Sequence, residues 1–528
     1  MVATLQCRSA GGVLMRNLSL LIFLLLLSGM SASAQTPADS TLVSLIAQGY
    51  WSAAEAKGPL FHLRDIEIVD ERGRAPEGFS MSEFTGEAAS RKNLEALSSA
   101  VQNYYLNHGF PFAVMTTSLQ ADSTGLSEVD VEVRVTRGSS FKRGEVKLQE
   151  TRTLPETVRR LALWETDEDF SQQRTEKGLE RLRRSGYFES ADWVGLYRDA
   201  NRNVLYPVLR LPDASANTIG GLLGFDSKAE NGGKLTGYLD IRLVNLFGTA
   251  RDFEFSFDDR TGFEREIRGA YTEPWLFNLP IGVHVEGSFL QQDTLFWEWN
   301  QGLTFFRDLS FISRLEVEFG AQANRDNTLP DGGSGSEALR SGVRLLFDAR
   351  DRALFTRSGY RSSVSVTGVR RTFDNVGVDS AYFLLQAQGS IENWIPLTSR
   401  FGLRLSAHAA SNFPLNRLNH GELYYVGGAR SLRGYREREF QTNAYALSEG
   451  ELQYWVGRRG SLFVFASPGV VNRPSRLHEG RYDGLGVLGY GFGIELAQGD
   501  WTLSLAYALN PERDLGDGLL HVAVENRF

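Results

Sequence analysis

From residue 218 to residue 528 the sequence is a succession of short stretches in which apolar and polar side chains alternate, and this period of two most limits the folds open to the chain. Asp252-Phe253-Glu254-Phe255-Ser256-Phe257-Asp258, Leu315-Glu316-Val317-Glu318-Phe319 and Trp501-Thr502-Leu503-Ser504-Leu505-Ala506-Tyr507-Ala508-Leu509 each put apolar groups on one face and charged or small groups on the other. That is the pattern of a strand with two unlike faces. Sixteen such segments can be read, at 218–226, 234–244, 250–258, 264–273, 281–291, 295–305, 313–324, 339–349, 359–369, 380–394, 400–411, 442–456, 461–471, 484–498, 501–510 and 518–528. None approaches the roughly 18–20 uninterrupted apolar residues of a membrane helix, so a chain of this kind crosses a bilayer only as strands.

The connections alternate in length. Those at 245–249, 274–280 and 457–460 are short and follow even-numbered segments, whereas 325–338, 412–441 and 472–483 are long and follow odd-numbered ones. Short turns on one side, long loops on the other and an even strand number are expected of a closed outer-membrane barrel, because an unpaired strand edge in hydrocarbon costs several kcal/mol per polar group. A soluble all-β domain would share the alternation. The N-terminus favours the barrel: residues 1–34 read as a secretory leader, with Arg8 and Arg16 ahead of the apolar stretch 18–27 and Ala32-Ser33-Ala34 as the cleavage site. A start at Met15 would leave that leader complete. Cys7, the only cysteine, lies upstream of the apolar stretch, so the exported chain has no disulfide framework. The net charge of −8 is mild and argues against a nucleic-acid partner.

Residues before the barrel read as α+β. A strand at 61–69, a helix at 87–107, the turn His108-Gly109-Phe110 and a strand at 129–135 are followed by a strand at 141–148, helices at 155–164 and 170–184, the turn Ser185-Gly186-Tyr187 and closing strands ending at 204–211. This predicts two tandem β-α-α-β-β units, 60–138 and 139–213. In each, glycine (Gly109, Gly186) lets the helix stop in a left-handed conformation, and the aromatic after it (Phe110, Tyr187) turns onto the core. Residues 35–59 form either an N-terminal helix or the remnant of an earlier unit. Within the long loop 412–441, Gly427-Gly428-Ala429-Arg430-Ser431-Leu432-Arg433-Gly434-Tyr435 sets two arginines between glycine turns, which suggests a loop folded inward.

Together these features resemble the polypeptide-transport-associated (POTRA) domains and sixteen-stranded antiparallel transmembrane β-barrel of the BamA–TamA superfamily, which also contains the two-partner secretion transporters. Leu432-Arg433-Gly434-Tyr435 matches the superfamily's Val-Arg-Gly-Phe/Tyr signature, with Gly427 and Gly428 opening the same motif. Weaker matches are Asn245-Leu246-Phe247-Gly248, Glu273-Pro274-Trp275-Leu276 and Phe347-Asp348-Ala349-Arg350-Asp351 with Ser358-Gly359. The terminal segment, ending Val522-Ala523-Val524-Glu525-Asn526-Arg527-Phe528, resembles the C-terminal recognition strand of outer-membrane proteins, although Asn526 stands where a hydrophobic residue is usual. The resemblance implies that Arg433 enters the lumen of the barrel (217–528) and pairs with acids on its wall. The matching wall residue is Glu451, on a lumenal face reading Glu449, Glu451, Gln453. Ser467 stands where the family usually offers a second acid, and Glu495 is the expected substitute. Gly489, Gly491 and Gly493 would leave room for the loop.

No enzyme motif survives inspection. Gly484-Leu485-Gly486-Val487-Leu488-Gly489 fits a dinucleotide fingerprint literally but opens no helix and reads as barrel wall. The seven histidines show no metal-ligand spacing, so neither cofactor nor metal is expected. The resemblance implies an assembly or translocation factor at the outer membrane, with POTRA domains in the periplasm. Its partners would be unfolded outer-membrane client polypeptides, the lipid bilayer and accessory periplasmic or lipoprotein subunits. The seam would join the segment holding Gly220, Gly221 and Gly224 to the segment ending in Phe528. A two-partner secretion transporter exporting one protein through the lumen is the alternative; the direct run of 41–54 into the first unit weighs against its usual plug helix and linker.

Overall fold

The computed structural model describes residues 5–8, 61–73, 76–121, 128–165, 167–199, 201–214, 217–226, 234–259, 264–292, 296–326, 334–352, 355–374, 380–413, 423–429, 431–457, 460–474, 482–498 and 501–526. The expectations for 35–59, for most of the leader and for Phe528 lie outside these residues. The chain divides into two compact units, Met1–Gln149 with Trp164–Lys177 and Asp192–Leu209, and Glu150–Leu163 with Gly178–Ala191 and Arg210–Phe528.

In the first unit, β1 (Leu5–Arg8), β2 (His62–Asp70), β3 (Val114–Ala121) and β4 (Glu128–Thr136) form a sheet in the order β1-β3-β4-β2, with β2 parallel to β4 and the other pairs antiparallel. Helix α1 (Arg91–Asn107) buries Leu94, Leu97, Val101 and Tyr105. Their spacing of three and four makes one apolar stripe, which packs on Leu63, Ile66, Ile68, Met115 and the inward valines of β4. The helix begins later than its periodicity suggests because Ser90 caps it, accepting the Asn93 N–H at 3.2 Å. Turns, rather than a first helix, occupy the connection over 76–86. Gly109 follows α1 at φ 88° and joins the next segment: its N–H donates to the Phe170 carbonyl at 3.0 Å and its carbonyl accepts from Phe141 at 2.8 Å. Phe110 packs against the α1 core.

The next elements are β5 (Lys142–Arg143), β6 (Lys147–Gln149), α2 (Pro155–Leu161), α3 (Gln172–Arg184), β7 (Asp192–Asp199) and β8 (Val204–Arg210), with β8 pairing β5, β6 and β7. The single strand expected at 141–148 is broken at Gly144, where a Cβ would overlap Val204 and Tyr206. Phe141, Phe170 and Leu205 form a small core with Leu106 and Trp193.

The second unit holds α2, the end of α3 and the barrel strands: β9 (Thr218–Asp226), β10 (Lys234–Leu246), β11 (Arg251–Asp259), β12 (Glu264–Glu273), β13 (Gly282–Gln292), β14 (Phe296–Asp308), β15 (Ser313–Asp326), β16 (Ser334–Asp348), β17 (Gly359–Asp374), β18 (Ser380–Pro396), β19 (Phe401–Phe413), β22 (Ala444–Trp455), β23 (Gly460–Pro474), β24 (Tyr482–Gln498), β25 (Trp501–Leu509) and β26 (Leu519–Asn526). These sixteen form one sheet in chain order, and each ladder between neighbours is antiparallel. Among the described residues the short β20 (Tyr424–Val426) and β21 (Phe440–Thr442) pair only with each other, closing the neck of the long loop. The period-two pattern has the expected result: Val364 and Val366, Leu462 and Val464, and Leu520 and Val522 are exposed on the outer face. Between them in β23, Ser461, Phe463, Phe465 and Ser467 are buried on the inner face.

Residues 150–163 and 178–191 group with the barrel because their polar side chains reach its short turns. Asn245 Nδ2 donates to Thr153 Oγ1 at 2.7 Å, Arg181 pairs with Asp308, and Arg184 donates to the Phe311 and Arg350 carbonyls at 3.0 and 3.2 Å. Gly186 follows α3 at φ 79°. Tyr187, expected to turn onto its own unit's core, instead donates to the Ala250 carbonyl and Asp252 Oδ2 at 3.2 and 3.1 Å. A phenol gains more from those acceptors than from an apolar core that could not satisfy its hydroxyl.

Candidate functional site

The loop between β19 and β22 is built to turn sharply. Gly427, Gly428 and Gly434 have φ of 126°, 92° and 93°, the left-handed region that favours glycine. A Cβ at Gly427 would overlap the Arg436 carbonyl, and one at Gly428 the Glu437 carboxylate. The Gly427 N–H donates to Ser431 Oγ at 2.8 Å, and that hydroxyl donates back to the Gly427 carbonyl at 2.9 Å. The Gly428 N–H donates to the Leu432 carbonyl at 3.1 Å.

Folded in this way, the loop lies against the inner wall. Leu432 is fully buried, and with Val426 and Tyr435 it packs on Leu447 of β22, Val471 of β23 and Val487 of β24. The Leu488 N–H donates to the Tyr435 hydroxyl at 3.3 Å. Gly489 faces the Arg433 carbonyl so closely that a Cβ would overlap it, while Gly491 and Gly493 lie beside Phe465 and Phe463. Three glycines at alternate positions therefore leave the wall thin where the loop and two phenylalanine rings press on it.

Arg433 is only 8% exposed. Its guanidinium lies 3.9 Å from the centre of the Phe465 ring and 5.2 Å from that of Phe463, a cation over two aromatic faces. It pairs with Glu451, donates from Nε to Glu449 Oε2 at 3.1 Å, and approaches Glu449 Oε1 at 2.5 Å. Glu451 is 3% exposed and is further held by Gln453 Nε2 at 3.0 Å and by Arg404 Nη1 at 3.6 Å. Arg404 in turn donates to Glu392 Oε2 at 2.8 Å. Two guanidinium groups thus share three carboxylates across β18, β19, β22 and the loop. Burial of this kind is tolerable only when each charge has a partner.

The structure brings Gly427, Gly428, Leu432, Arg433, Gly434, Tyr435 and Glu451 together. It does not bring Glu495 to Arg433. Glu495 stands on the rungs of Ser461 and Ser504, four residues along β24 from Gly491, the rung of Phe465 and Glu451, or roughly 13 Å at strand spacing. Glu449 takes the second carboxylate position, and Ser467 donates to it at 2.7 Å. Sequence reasoning missed Arg404, which stands directly across the ladder from Glu451, because only register reveals that neighbour. It also missed His521 and Asn510, which receive Gly434 from β26 and from just beyond β25. Gly220, Gly221 and Gly224 lie in β9 opposite Asp240, Leu239 and Thr236 of β10. The fingerprint-like glycines at 484–489 lie within β24. Among the described residues no cluster of His, Cys, Asp and Glu suits a metal.

The Omp85 superfamily domain matches residues 245–519. The chain is similar to solved structures of BamA from Haemophilus ducreyi lacking POTRA domains 1–3 (14% identical, TM-score 0.47, covering 88% of this chain and 99% of that one) and of CdiB from Acinetobacter baumannii (13%, 0.48, 96% and 96%). It is similar also to CdiB from Escherichia coli (14%, TM-score 0.50, 94% and 98%). At such identity the last likeness speaks for the fold alone. No curated protein matches the sequence.

Proposed function

Because the chain belongs to the Omp85 superfamily, whose domain covers residues 245–519, we propose that it is an outer-membrane assembly factor. It takes unfolded polypeptides through its N-terminal α+β units in the periplasm and inserts β-barrel clients into the outer membrane at the seam between β9 and β26. This requires no covalent chemistry, cofactor or metal. The observation that carries the reading is the pairing of the terminal strands: among the described residues β9 pairs only with β10, and β26 only with β25. In hydrocarbon such edges must pair with each other or with an incoming strand, so the same groups that close the barrel can template a client. Glycines 220, 221 and 224 leave β9 with little side-chain packing to hold a closed seam. At roughly 1 kcal/mol net per hydrogen bond, a seam of a few bonds opens at a cost of a few kcal/mol.

The first unit supports the client-binding half. The outer edge of β3 already carries β1, formed by residues within the expected leader. With the leader removed, that edge is free to pair with an extended segment through main-chain hydrogen bonds, which tolerates many client sequences.

The test is a cysteine pair, one residue in β9 and one in β26, scanned for the register that crosslinks. Locking the seam should stop client assembly, and reduction should restore it; unchanged assembly in the locked protein sinks the seam mechanism. Depletion with quantification of the outer-membrane proteome sets the client range. A second reading, export of one soluble partner through the lumen, is favoured by a cavity of about 1420 Å³ on the β9–β16 side, lined by polar groups including Asp240, Arg242, Glu254, Arg268, Glu298 and Asn300. Loss of a single exported protein on depletion, with barrel proteins intact, would select that reading.

A further inference from the structure

The inner loop is tied to the last strand as well as to the wall of β22–β24. Both backbone polar groups of Gly434 are captured there. Its N–H donates to Nε2 of His521, on β26, at 3.1 Å, and its carbonyl accepts from Asn510 Nδ2, just beyond β25, at 2.9 Å. Gly434 is at φ 93°, and a Cβ there would overlap the Leu509 carbonyl, so the loop sits against this hairpin with no space to spare. The hairpin is the edge of the sheet, since among the described residues β26 pairs only with β25.

We infer that His521 is a proton-sensitive latch between the inner loop and the seam strand. To accept from Gly434, Nε2 must carry a lone pair, so the latched imidazole is neutral and bears its proton on Nδ1. Protonation turns Nε2 into a second N–H aimed at the Gly434 N–H, and the acceptor is lost. Among the described residues the charged groups whose electrostatics act on the imidazole are Arg433 and Glu437, both from the loop. Across the ladder stands Ala506, which does not titrate. Acidification therefore unties β26 from a loop that Arg433 still anchors, and the edge strand becomes easier to separate from β9. The inference rests on the seam reading for its functional meaning, although the latch itself is a property of the barrel without client.

The experiment uses the full chain, with Cys7→Ser, in phosphatidylethanolamine–phosphatidylglycerol vesicles. Ile219→Cys and Leu520→Cys, both outward and exposed, carry spin labels whose separation is measured at about pH 8 and about pH 4, well clear of histidine's ordinary titration on both sides. The long-distance fraction is expected to rise about fivefold on acidification, the effect of losing one hydrogen bond of about 1 kcal/mol. His521→Leu should show the long distance at both pH values. His521→Gln, whose side-chain oxygen accepts but does not titrate, should show the short distance at both. Identical wild-type distributions at the two pH values, or a pH response surviving in His521→Gln, overturn the latch. If His521→Leu fails to give heat-modifiable mobility, His521→Gln alone decides. A pH-dependent seam in a protein whose seam crosslink leaves client assembly intact supports the latch and sinks the assembly reading.

Discussion

Ser467 donates a 2.7 Å hydrogen bond to Glu449 Oε2, the oxygen that also receives the Arg433 Nε–H. The two residues face each other across the β22–β23 ladder, in the register that pairs Leu447 with Gly469 and Gly450 with Ala466. The second acid that the family resemblance leads one to expect at the position of Ser467 thus has a counterpart in a carboxylate on the neighbouring strand, with the serine hydroxyl aiming it. Ser467→Ala should lower the unfolding midpoint, followed by heat-modifiable mobility in urea, by an amount equivalent to about 1 kcal/mol. Ser467→Asp should cost more, since it sets two carboxylates against each other, and adding Glu449→Gln should recover most of the loss. A Ser467→Asp protein as stable as wild type would show that Glu449 does not fill the second position.

Arg433→Ala removes the loop's charge from the wall but does not strand Glu451 completely, because Arg404 and Gln453 remain beside it. Breaking a buried pair costs about 3–5 kcal/mol when the remaining charge has no partner, so the expected loss lies toward the lower end of that range. Arg433→Lys should restore only part of it, since a lysine ammonium has neither the two-pronged fork nor the planar face that lies over Phe465. Arg433→Ala combined with Arg404→Leu should lose heat-modifiable folding altogether. A double variant no worse than Arg433→Ala would show that Arg404 does not support Glu451.

The barrel was legible because its physical cause is local: a wall between lipid and lumen imposes period two on each strand, and all sixteen segments fall on strands of one sheet. The glycines at 427, 428 and 434 announce turns around both Arg430 and Arg433, and only the resemblance of Leu432-Arg433-Gly434-Tyr435 to the family signature singles out Arg433. Its partners were harder to find. Glu451 followed from family resemblance, whereas Glu449, Arg404, His521 and Asn510 meet the loop only through register and through the path of the loop across the wall. Glu495 and Glu449 both face the lumen, but height along the barrel separates them, and alternation carries no information on height. Tyr187 misled for another reason: its place after Gly186 mirrors Phe110 after Gly109, yet a hydroxyl seeks acceptors that a phenyl ring does not need.

Gly489→Ala should displace the loop while leaving all charged groups in place. The added methyl would overlap the Arg433 carbonyl, a backbone atom that rotamer change cannot move. The expected outcome is new protease cleavage within 427–439 in a barrel that still shows heat-modifiable mobility. Gly486→Ala, where a Cβ meets nothing within 4 Å, is the control and should leave the loop protected. Equal protection in both variants would place the loop elsewhere.

Glu156, in the first turn of α2, is held at about 2 from an ordinary 4.5, chiefly by its hydrogen bond from Arg159 and, against the effect of partial burial, by Arg160 as well. A carboxyl depressed on folding contributes stability above its unfolded value and loses it as pH falls toward the folded one. The window is therefore from 4.5 down to about 2. Between about pH 5 and about pH 2.5 the wild type should lose more stability than Glu156→Gln, which has no charge to lose. Parallel denaturation curves for the two proteins across that window would rule out the contribution.

Tyr187→Phe tests the seat between residues 178–191 and the barrel's short turns. Burial first, and then the Asp252 carboxylate, hold the phenol well above its ordinary value, so its hydroxyl remains a donor to Ala250 and Asp252 throughout the physiological range. Removing the hydroxyl takes one donor from Asp252, which keeps the Asn245 N–H at 2.9 Å, and leaves the ring's packing intact. The expected cost is about 1 kcal/mol, appearing as faster amide exchange over 178–191 with exchange of the β22–β24 wall unchanged. Tyr187→Ala removes the ring as well and should cost several-fold more. If Tyr187→Phe accelerates exchange in the wall and over 178–191 alike, the hydroxyl supports the whole barrel; if it alters neither, the seat is held by Arg181 and Arg184 without it.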